Sequence, residues 1–301
     1  DWDAASDAAT ALDAPPLAQA IADSLPPLAP ARQLFVDISE LVQRDASTGI
    51  QRVVKGLLGE LLGSPPPGYR VEPVYAVQGE LGYRYARQFT LGFLGCPRSI
   101  LVDAPIDARA GDVFIGLDLE PRVVLAQRAF YRQLRHRGVR VEFVVYDLLP
   151  VRMPDRFMQG AQELHAKWLT VVAENDGALC ISGAVADELR DWTASDARDG
   201  QPNPGFSIRS FHLGVDALPT RSLPDLKEDS KLQAAMAGRR TFLMVGTIEP
   251  RKGHALVLDA FDRLWASGQD VNLVLVGREG WMVHGLLKKL TQRFQGVGQG
   301  T

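Results

Sequence analysis

The stretch Thr241-Phe-Leu-Met-Val-Gly-Thr-Ile-Glu-Pro-Arg-Lys-Gly-His254 decides the fold of this chain. Its first five residues are mostly apolar and end at a glycine, which is typical of a buried parallel strand. From residue 255 to residue 265, apolar side chains recur at helical spacing. The sequence therefore predicts a strand, a tight turn that carries two cations, and a helix.

The turn between this strand and this helix predicts a phosphate site. Backbone N–H groups and the positive end of the helix dipole attract anions at a helix N-terminus. Arg251 and Lys252 add two positive charges, in what we predict to be the first turn of the helix. Because cations there oppose the dipole, a bound anion explains them better than a surface position does. Glu249 either pairs with one of these cations or contacts the ligand.

Strand and helix patterns alternate along the rest of the chain. We predict strands at 33–37, 69–76, 112–116, 139–145, 177–182, 206–212, 241–245 and 271–277, and helices at 49–62, 121–136, 157–174, 185–192, 255–265 and 283–290. The segment 78–110 is irregular, with a hairpin around Gly82 and Phe89 as one interpretation. Such alternation is typical of an α/β fold, in which helices cover both faces of a parallel sheet.

The same pattern predicts two Rossmann-like domains, of which the second is incomplete. We assign 1–31 to a linker or N-terminal extension with a short helix at 17–24, 32–217 to the first domain, 218–239 to a second linker, and 240–301 to part of the second domain. Proline-rich composition supports the linkers. Since 240–301 is shorter than the roughly 100–150 residues of a typical domain, we expect the chain to be a piece of a longer protein.

Composition excludes several other classes of protein. The 301 residues are 46% hydrophobic and 23% charged, with a net charge of −3, so the basic excess of a nucleic-acid binder is missing. Cys96 and Cys180 lie in apolar settings, and we predict two buried thiols of a reducing compartment. The sequence has no apolar run of roughly 18 residues and no signal-peptide layout, so we expect a cytoplasmic protein.

Four segments, in the same order, resemble retaining glycosyltransferases of GT-B family 4. Gly246–Gly253 is similar to the donor-diphosphate loop, and Phe35–Ser39 with Ser47–Val54 is similar to the first strand and glycine-containing first loop of bacterial polysaccharide-building members. Tyr146–Pro150 is similar to a segment that reads His-Asp-Leu-x-Pro in many relatives, and Phe211–Asp216 to the signature that closes the first domain. The resemblance implies two Rossmann-like domains that face each other across a cleft.

This resemblance implies a retaining, metal-independent hexosyltransferase of polysaccharide or lipopolysaccharide assembly. The donor would be a nucleotide-sugar, GDP-mannose ahead of a UDP-sugar, with no other cofactor, and the acceptor an oligosaccharide or a lipid-linked chain. Fixed cations on the diphosphate would stabilise the charge that develops on the leaving nucleotide. The residues implied in donor binding are Gly49, Gly246, Thr247, Glu249, Arg251 and Lys252, and those implied in catalysis are Asp147, Arg251 and Lys252.

The chain also departs from the family pattern. Thr247 stands where many relatives have an arginine, and Tyr146 replaces the histidine of the His-Asp pair. The acidic motif whose glutamate contacts the donor sugar is not in the sequence. Two alternatives therefore stay open: a degenerate glycosyltransferase-like module of a larger polysaccharide-assembly protein, and a non-hydrolysing epimerase on the same plan.

Motifs of rival chemistries are absent or out of context. The sequence has no GxxxxGK[ST] phosphate loop, and its glycine run at 296–300 follows a predicted helix, where a dinucleotide fingerprint would not lie. Asp118-Leu-Glu120 is similar to the acidic metal-binding pair of the other common glycosyltransferase fold, but one such triplet is expected by chance in an acidic chain.

Several candidates also have an ordinary structural interpretation. Gly49 could serve only a tight turn, and Asp147 only a helix cap. One basic cluster either faces an anionic membrane, which would place the protein at the inner face of the cytoplasmic membrane, or complements a helix C-terminus. Its members are Arg132, Arg135, His136, Arg137 and Arg140. The histidines predicted to be packing or surface residues are His165, His212, His254 and His284.

Overall fold

The structure is a computed structural model that describes residues 31–46, 48–77, 79–195, 202–214, 234 and 236–294, with side chains up to residue 291. The predicted helix at 17–24, the predicted first linker apart from Ala31, and the glycine run at 296–300 lie outside these residues. Most of the predicted second linker also lies outside them. We refer to the described residues 31–214 as the N-terminal unit and to 236–294 as the C-terminal unit.

Two sheets organise the described part of the chain. Their strands are β1 (Arg32–Asp37), β2 (Tyr69–Tyr75), β3 (Arg84–Tyr85), β4 (Val113–Gly116), β5 (Arg140–Val145), β6 (Gly177–Cys180), β7 (Ser207–Ser210), β8 (Arg240–Val245) and β9 (Val271–Val276). The larger sheet has the order β3-β2-β1-β4-β5-β6-β7, and its neighbours are parallel except β2 and β3. Strands β8 and β9 form a parallel pair. The α/β fold class is therefore confirmed.

Helices connect these strands. They are α1 (Ser39–Gln43), α2 (Gly49–Gly63), α3 (Arg87–Phe93), α4 (Pro121–Ala126), α5 (Arg128–His136), α6 (Leu149–Arg152), α7 (Ala161–Ala173), α8 (Gly183–Ala194), α9 (His254–Ala266) and α10 (His284–Phe294). Short 3-10 turns occur at Arg98–Ile100, Pro154–Arg156 and Pro250–Lys252. Among the helices of the described residues, none combines the length and apolar character that crossing a membrane requires.

Strand β1 is an interior strand of the larger sheet and separates two hydrophobic cores. Phe35 packs on one face with Phe114, whereas Leu34 and Val36 pack on the other face with Leu58 of α2. Successive side chains of a strand point to opposite faces, and a parallel sheet buries both. The run of apolar residues in β1 therefore follows from its interior position in the sheet, and one face of the run packs against α2.

Two predicted helices differ from the structure, one by an internal break and one at its start. The predicted helix at 121–136 breaks at Gln127, whose buried side chain donates to the Glu80 carbonyl at 2.6 Å and accepts from the Gly82 N–H at 2.7 Å. The predicted helix at 157–174 starts only at Ala161, because Gly160 has a left-handed backbone with φ 83°. Tertiary hydrogen bonds and one glycine, rather than the apolar pattern, set these boundaries.

In the segment 78–110, the predicted hairpin is only partly present. Strand β3 pairs antiparallel with β2, as a hairpin around Gly82 requires, but Phe89 lies in helix α3. Cys96 follows this helix and is exposed, so the prediction of a buried thiol is wrong there. Cys180 at the end of β6 is buried, as predicted, and burial raises the pKa of its thiol to about 11.

The predicted basic cluster at 132–140 lies beside acidic side chains of the same unit. Arg135 Nε is 3.0 Å from Asp176, and Arg140 Nε is 2.5 Å from Glu142. Arg132 is 3.6 Å from Glu174. These acids compensate part of the cluster's charge within the fold, and contact with a membrane stays a prediction.

Candidate functional site

A cleft of about 720 Å³ lies between the N-terminal and C-terminal units. Its lining residues come from the start of α2 and from the segments that follow β5, β6, β7, β8 and β9. The carboxyl ends of both parallel sheets therefore meet at this cleft, and ligands of open α/β sheets bind at such ends. The volume lies within the roughly 300–1,000 Å³ of small-ligand sites.

The start of α2 is fixed at the cleft by a capping box. The Thr48 hydroxyl accepts from the Gln51 N–H at 3.2 Å, and the Gln51 side chain accepts from the Thr48 N–H at 3.3 Å. Gly49, the first helical residue, lines the cleft, and a Cβ added to it would meet no atom within 4 Å. Its backbone is not left-handed. The backbone therefore does not require glycine at this position. A side chain added here would extend into the cleft.

The predicted phosphate loop lies at the cleft, but its two cations do not lie in the first turn of the helix. Arg251 and Lys252 belong to the 3-10 turn Pro250–Lys252, and Gly253, with φ 75°, separates this turn from α9. Thr247, Glu249 and Arg251 line the cleft, whereas Gly246 and the exposed Lys252 do not. The prediction that both cations lie in the first turn of the helix is therefore wrong, because Gly253 ends their 3-10 turn before α9 begins.

Glu249 pairs with Arg251 within the phosphate loop. The Glu249 side chain is 1% exposed, and its Oε1 lies 2.7 Å from Arg251 Nε. The contact lacks the angles of a hydrogen bond, and within the described residues neither atom has another hydrogen-bond partner. The sequence allowed two interpretations of Glu249, pairing with a cation or contact with the ligand. The structure shows the pairing. Both groups keep hydrogen-bonding capacity at the edge of the cleft.

A second loop, residues 277–281, runs beside the phosphate loop. The Ile248 N–H donates to the Arg278 carbonyl at 2.8 Å, and the Gly280 N–H donates to the Ile248 carbonyl at 2.9 Å. A Cβ at Gly277 would lie 1.8 Å from the Gly246 carbonyl oxygen, and a Cβ at Gly280 would lie 2.7 Å from that of Ile248. Two glycines therefore permit the close approach of the loops, which brings Arg278, Glu279 and Trp281 to the cleft.

Sequence reasoning missed this second loop, although a signal for it existed. Its glycines follow a predicted strand, and the carboxyl ends of parallel strands share one edge of a sheet. The predicted strand at 271–277 therefore places residues 278–281 beside the loop that follows β8. What the sequence did not show is that two further charged residues, Arg278 and Glu279, reach the same cleft.

Asp147 lines the opposite wall of the cleft. Its carboxylate accepts from the Leu149 N–H at 3.2 Å, so it also has the local role of a turn residue. The ring of His165, which sequence reasoning left as a packing residue, lies behind it, with Nε2 3.1 Å from the Asp147 carbonyl oxygen. Burial lowers the pKa of His165, so the imidazole is neutral near pH 7 and fixes the backbone of Asp147 without adding charge.

Tyr146, which replaces the family's histidine, is not placed to carry a proton. Its hydroxyl donates to the Leu117 carbonyl at 2.7 Å, and the residue is 4% exposed. Burial and, to a smaller extent, the charge of Asp118 raise its pKa. The phenol therefore stays protonated, and its hydrogen bond to Leu117 engages the hydroxyl. Only the ring of Tyr146 contributes to the cleft wall.

The remaining acidic and histidine candidates have structural surroundings. Asp118 accepts from the Leu41 N–H at 2.7 Å, and Glu120 caps α4 by accepting from the Arg122 N–H. In the part of the chain that the structure describes, no group of three or more His, Cys, Asp or Glu side chains is arranged for a metal ion. Of the four histidines predicted to be packing or surface residues, His165 and His254 are buried, and His212 and His284 are exposed.

The two facing units with a cleft at their strand ends define the GT-B class of glycosyltransferase folds, and residues 227–295 match the family described as glycosyl transferases group 1. The chain is 42%, 41% and 40% identical, over 263 residues, to three Escherichia coli proteins named serotype-specific mannosyltransferase WbdA. These matches cover 86% of this chain and 31–32% of each relative, so the chain spans about a third of their length. They confirm the predicted resemblance to GT-B glycosyltransferases of the mannosyltransferase type.

Proposed function

We propose that this chain forms the nucleotide-sugar cleft of a retaining hexosyltransferase. The donor is a GDP-hexose, GDP-mannose ahead of other sugars, and the acceptor is an oligosaccharide or a lipid-linked chain of a bacterial polysaccharide. The mannosyltransferase relatives support the sugar, and the resemblance of the four sequence segments supports retention and metal independence. The observation that carries the proposal is Arg251, held by Glu249 in a cleft where strand ends of both units meet.

Each wall of the cleft supplies groups that favour binding of an anion. On one wall, Gly49 begins α2, where free N–H groups and the helix dipole favour an anion. On the other wall, Arg251 and Arg278 supply guanidinium groups, which suit the oxygen atoms of a diphosphate. Lys252, exposed on the same turn, adds a more strongly screened charge. A diphosphate between the two walls would thus meet positive potential from both units.

The chemistry follows from where charge develops. When the bond between the anomeric carbon and the phosphate oxygen breaks, its electron pair leaves with the nucleoside diphosphate, and the sugar becomes cationic. The cations and N–H groups on the diphosphate stabilise this transition state. In this proposal, Asp147, which lines the wall opposite the phosphate loop, stabilises the sugar's positive charge. The released diphosphate oxygen takes the proton of the acceptor hydroxyl as the new glycosidic bond forms.

The first test is calorimetric titration of the chain with GDP, UDP, GDP-mannose and a UDP-hexose. We expect GDP and GDP-mannose to bind, and Arg251→Ala to raise the Kd for GDP by about 10- to 100-fold, since hydrogen bonds to charged groups contribute about 1.5–3 kcal/mol. Arg263→Ala is the matched control, because it removes the same charge from an exposed position in the last turn of α9.

The outcomes of this titration separate the alternatives. Loss of GDP binding in Arg251→Ala and full binding in Arg263→Ala would support the donor cleft. If the unaltered chain binds none of the four nucleotides, the proposal is overturned, and a module without a donor site is the better description. If the chain binds UDP more tightly than GDP, the proposed donor becomes a UDP-sugar.

A second prediction concerns the space beside Gly49. We expect Gly49→Ala to leave the thermal unfolding midpoint unchanged or higher, because the added Cβ meets no atom within 4 Å. We also expect it to raise the Kd for GDP about tenfold, because the methyl group enters the cleft next to the helix N-terminus. The measurements are calorimetric titration and thermal unfolding of the same samples.

Gly56→Ala provides the control for this prediction. Gly56 is exposed in the same helix, and its added Cβ also meets no atom within 4 Å. Replacing an interior helical glycine with alanine stabilises a helix by about 0.5–1 kcal/mol, so this variant should unfold at a slightly higher temperature and bind GDP normally. Equal Kd values for Gly49→Ala and the unaltered chain would show that the diphosphate lies elsewhere.

A further inference from the structure

Trp281 belongs to a loop that is hydrogen-bonded to the phosphate loop. It ends the second loop, which is tied to the phosphate loop by the backbone hydrogen bonds between Ile248 and residues 278 and 280. The next residue, Met282, has a left-handed backbone with φ 56°, which is uncommon for a residue with a side chain. The chain therefore turns sharply after Trp281, and the buried side chain of Val283 anchors the start of α10.

The indole of Trp281 nevertheless contacts the other unit. Its Nε1–H donates to the Arg156 carbonyl at 3.0 Å, and its ring stacks on Phe157 with a centroid distance of 5.8 Å and an interplanar angle of 30°. Both partners belong to the segment around the 3-10 turn Pro154–Arg156 of the N-terminal unit. The orientation of this ring therefore depends on the position of the N-terminal unit relative to the C-terminal unit.

The same ring lies against the guanidinium of Arg251. The Arg251 Cζ atom is 5.8 Å from the centroid of Trp281, within the distance at which a cation is attracted to an indole face. Within its own unit, Arg251 is also paired with Glu249, whose Oε1 lies 2.7 Å from Arg251 Nε. Arg251 is thus placed by one buried carboxylate of its own unit and by one aromatic ring whose position the other unit sets.

We propose that Trp281 is a positioning residue that couples the seating of the two units to the orientation of Arg251. When the units separate, the indole loses Arg156 and Phe157, and Arg251 loses a fixed aromatic surface. The guanidinium then meets the diphosphate in the correct orientation only when the cleft is closed. The part of this inference that concerns nucleotide affinity rests on the proposed function; the coupling between the units does not.

The first arm of the test measures the coupling without any nucleotide. Phe157→Leu alters the N-terminal unit, and we expect it to increase amide hydrogen exchange several-fold in peptides that cover residues 246–253 of the C-terminal unit. Phe89→Leu is the control, since Phe89 stacks on Phe93 within the N-terminal unit. Exchange at 246–253 that is equal in both variants and in the unaltered chain would overturn the coupling, whether or not a nucleotide binds.

The second arm measures GDP affinity by calorimetry. We expect Trp281→Leu to raise the Kd about tenfold and Trp281→Phe, which keeps a ring but loses the N–H, to raise it by a smaller factor. Trp265→Phe makes the same change elsewhere in the C-terminal unit and should leave the Kd unchanged. Thermal unfolding of each variant shows whether it is folded.

A double-mutant cycle distinguishes positioning from direct contact. If Trp281 acts through Arg251, Trp281→Leu should have no further effect on GDP affinity in the Arg251→Ala background. A tenfold loss that persists in that background would mean that the indole contacts the nucleotide itself, and the positioning role would be wrong. If the unaltered chain does not bind GDP, the proposed function fails, while the exchange measurement still decides the coupling.

Discussion

The chain should lose about 4 kcal/mol of stability as the pH rises from about 4 to about 7, because one buried carboxyl group has a raised pKa. Asp37 at the end of β1 is fully buried, and burial raises its pKa from 3.8 to about 7. It accepts from the Ser39 hydroxyl at 2.5 Å, from the Ser39 N–H at 2.9 Å, and from the Tyr83 hydroxyl at 2.9 Å. These bonds and the nearby Asp118 modify the effect of burial but do not reverse it.

The sign of this pH dependence follows from proton binding. Between pH 3.8 and about 7, the folded chain keeps the Asp37 proton and the unfolded chain has released it. Raising the pH therefore favours the unfolded state across this window, and each unit of pKa difference contributes about 1.36 kcal/mol. The stabilisation is complete below pH 3.8 and is lost above pH 7. The neighbouring hydroxyls of Tyr83 and Tyr131 stay protonated, because burial raises their pKa values well above 10.

The test compares unfolding of the chain and of Asp37→Asn in urea at several pH values from 4.5 to 7.5. The amide is close in shape to the protonated carboxyl and can donate to the Tyr83 hydroxyl, so the variant should lack most of this pH dependence and be the more stable form above pH 7. Asp107→Asn is the control, since Asp107 is exposed and pairs with Arg109. Identical pH profiles for the chain and Asp37→Asn would contradict the prediction.

The second large effect is expected at Gly277. A Cβ there would lie 1.8 Å from the Gly246 carbonyl oxygen and 2.8 Å from its carbon, and backbone atoms cannot rotate away as a side chain can. Gly277→Ala must therefore separate the two loops and weaken the Ile248 N–H bond to Arg278. Overpacking costs about 1–3 kcal/mol, and each backbone hydrogen bond contributes about 1 kcal/mol more.

We expect Gly277→Ala to lower the thermal midpoint of the C-terminal unit and to weaken GDP binding more than 100-fold. Differential scanning calorimetry and titration measure the two effects. Gly285→Ala lies in α10 of the same unit, and its added Cβ meets no atom within 4 Å, so it should bind GDP normally and unfold at the same or a slightly higher temperature. Normal GDP binding by Gly277→Ala would show that the close contact of the loops is not needed for the site.

Local sequence patterns predicted the strands but not the contact between the two cleft loops. That contact depends on the register of β8 and β9, which pairs Arg240 with Val271 and Val245 with Val276. This register places the glycines that follow the strands side by side. No periodicity within either strand specifies which residue of its neighbour it will face, so Trp281 and Arg278 were not predicted to lie at the site.

The placement of the cations shows a second limit of sequence reasoning. The sequence has Gly253 between the cations and the helix, and this left-handed glycine ends the 3-10 turn before α9 begins. A similar limit explains the error at Cys96. Its apolar neighbours Leu94 and Ile100 are themselves 56% and 64% exposed, so an apolar neighbourhood in sequence did not mean burial.

The stacking of Trp281 on Phe157 makes the fluorescence of this tryptophan sensitive to contact between the two units. Among the tryptophans of the described residues, Trp168 and Trp192 are buried in the N-terminal unit, and Trp265 donates to the Val271 carbonyl within the C-terminal unit. Trp281 instead bridges the units. Opening of the cleft would expose this indole to water and shift its fluorescence to longer wavelength, so the intact chain can report its own closure without an added dye.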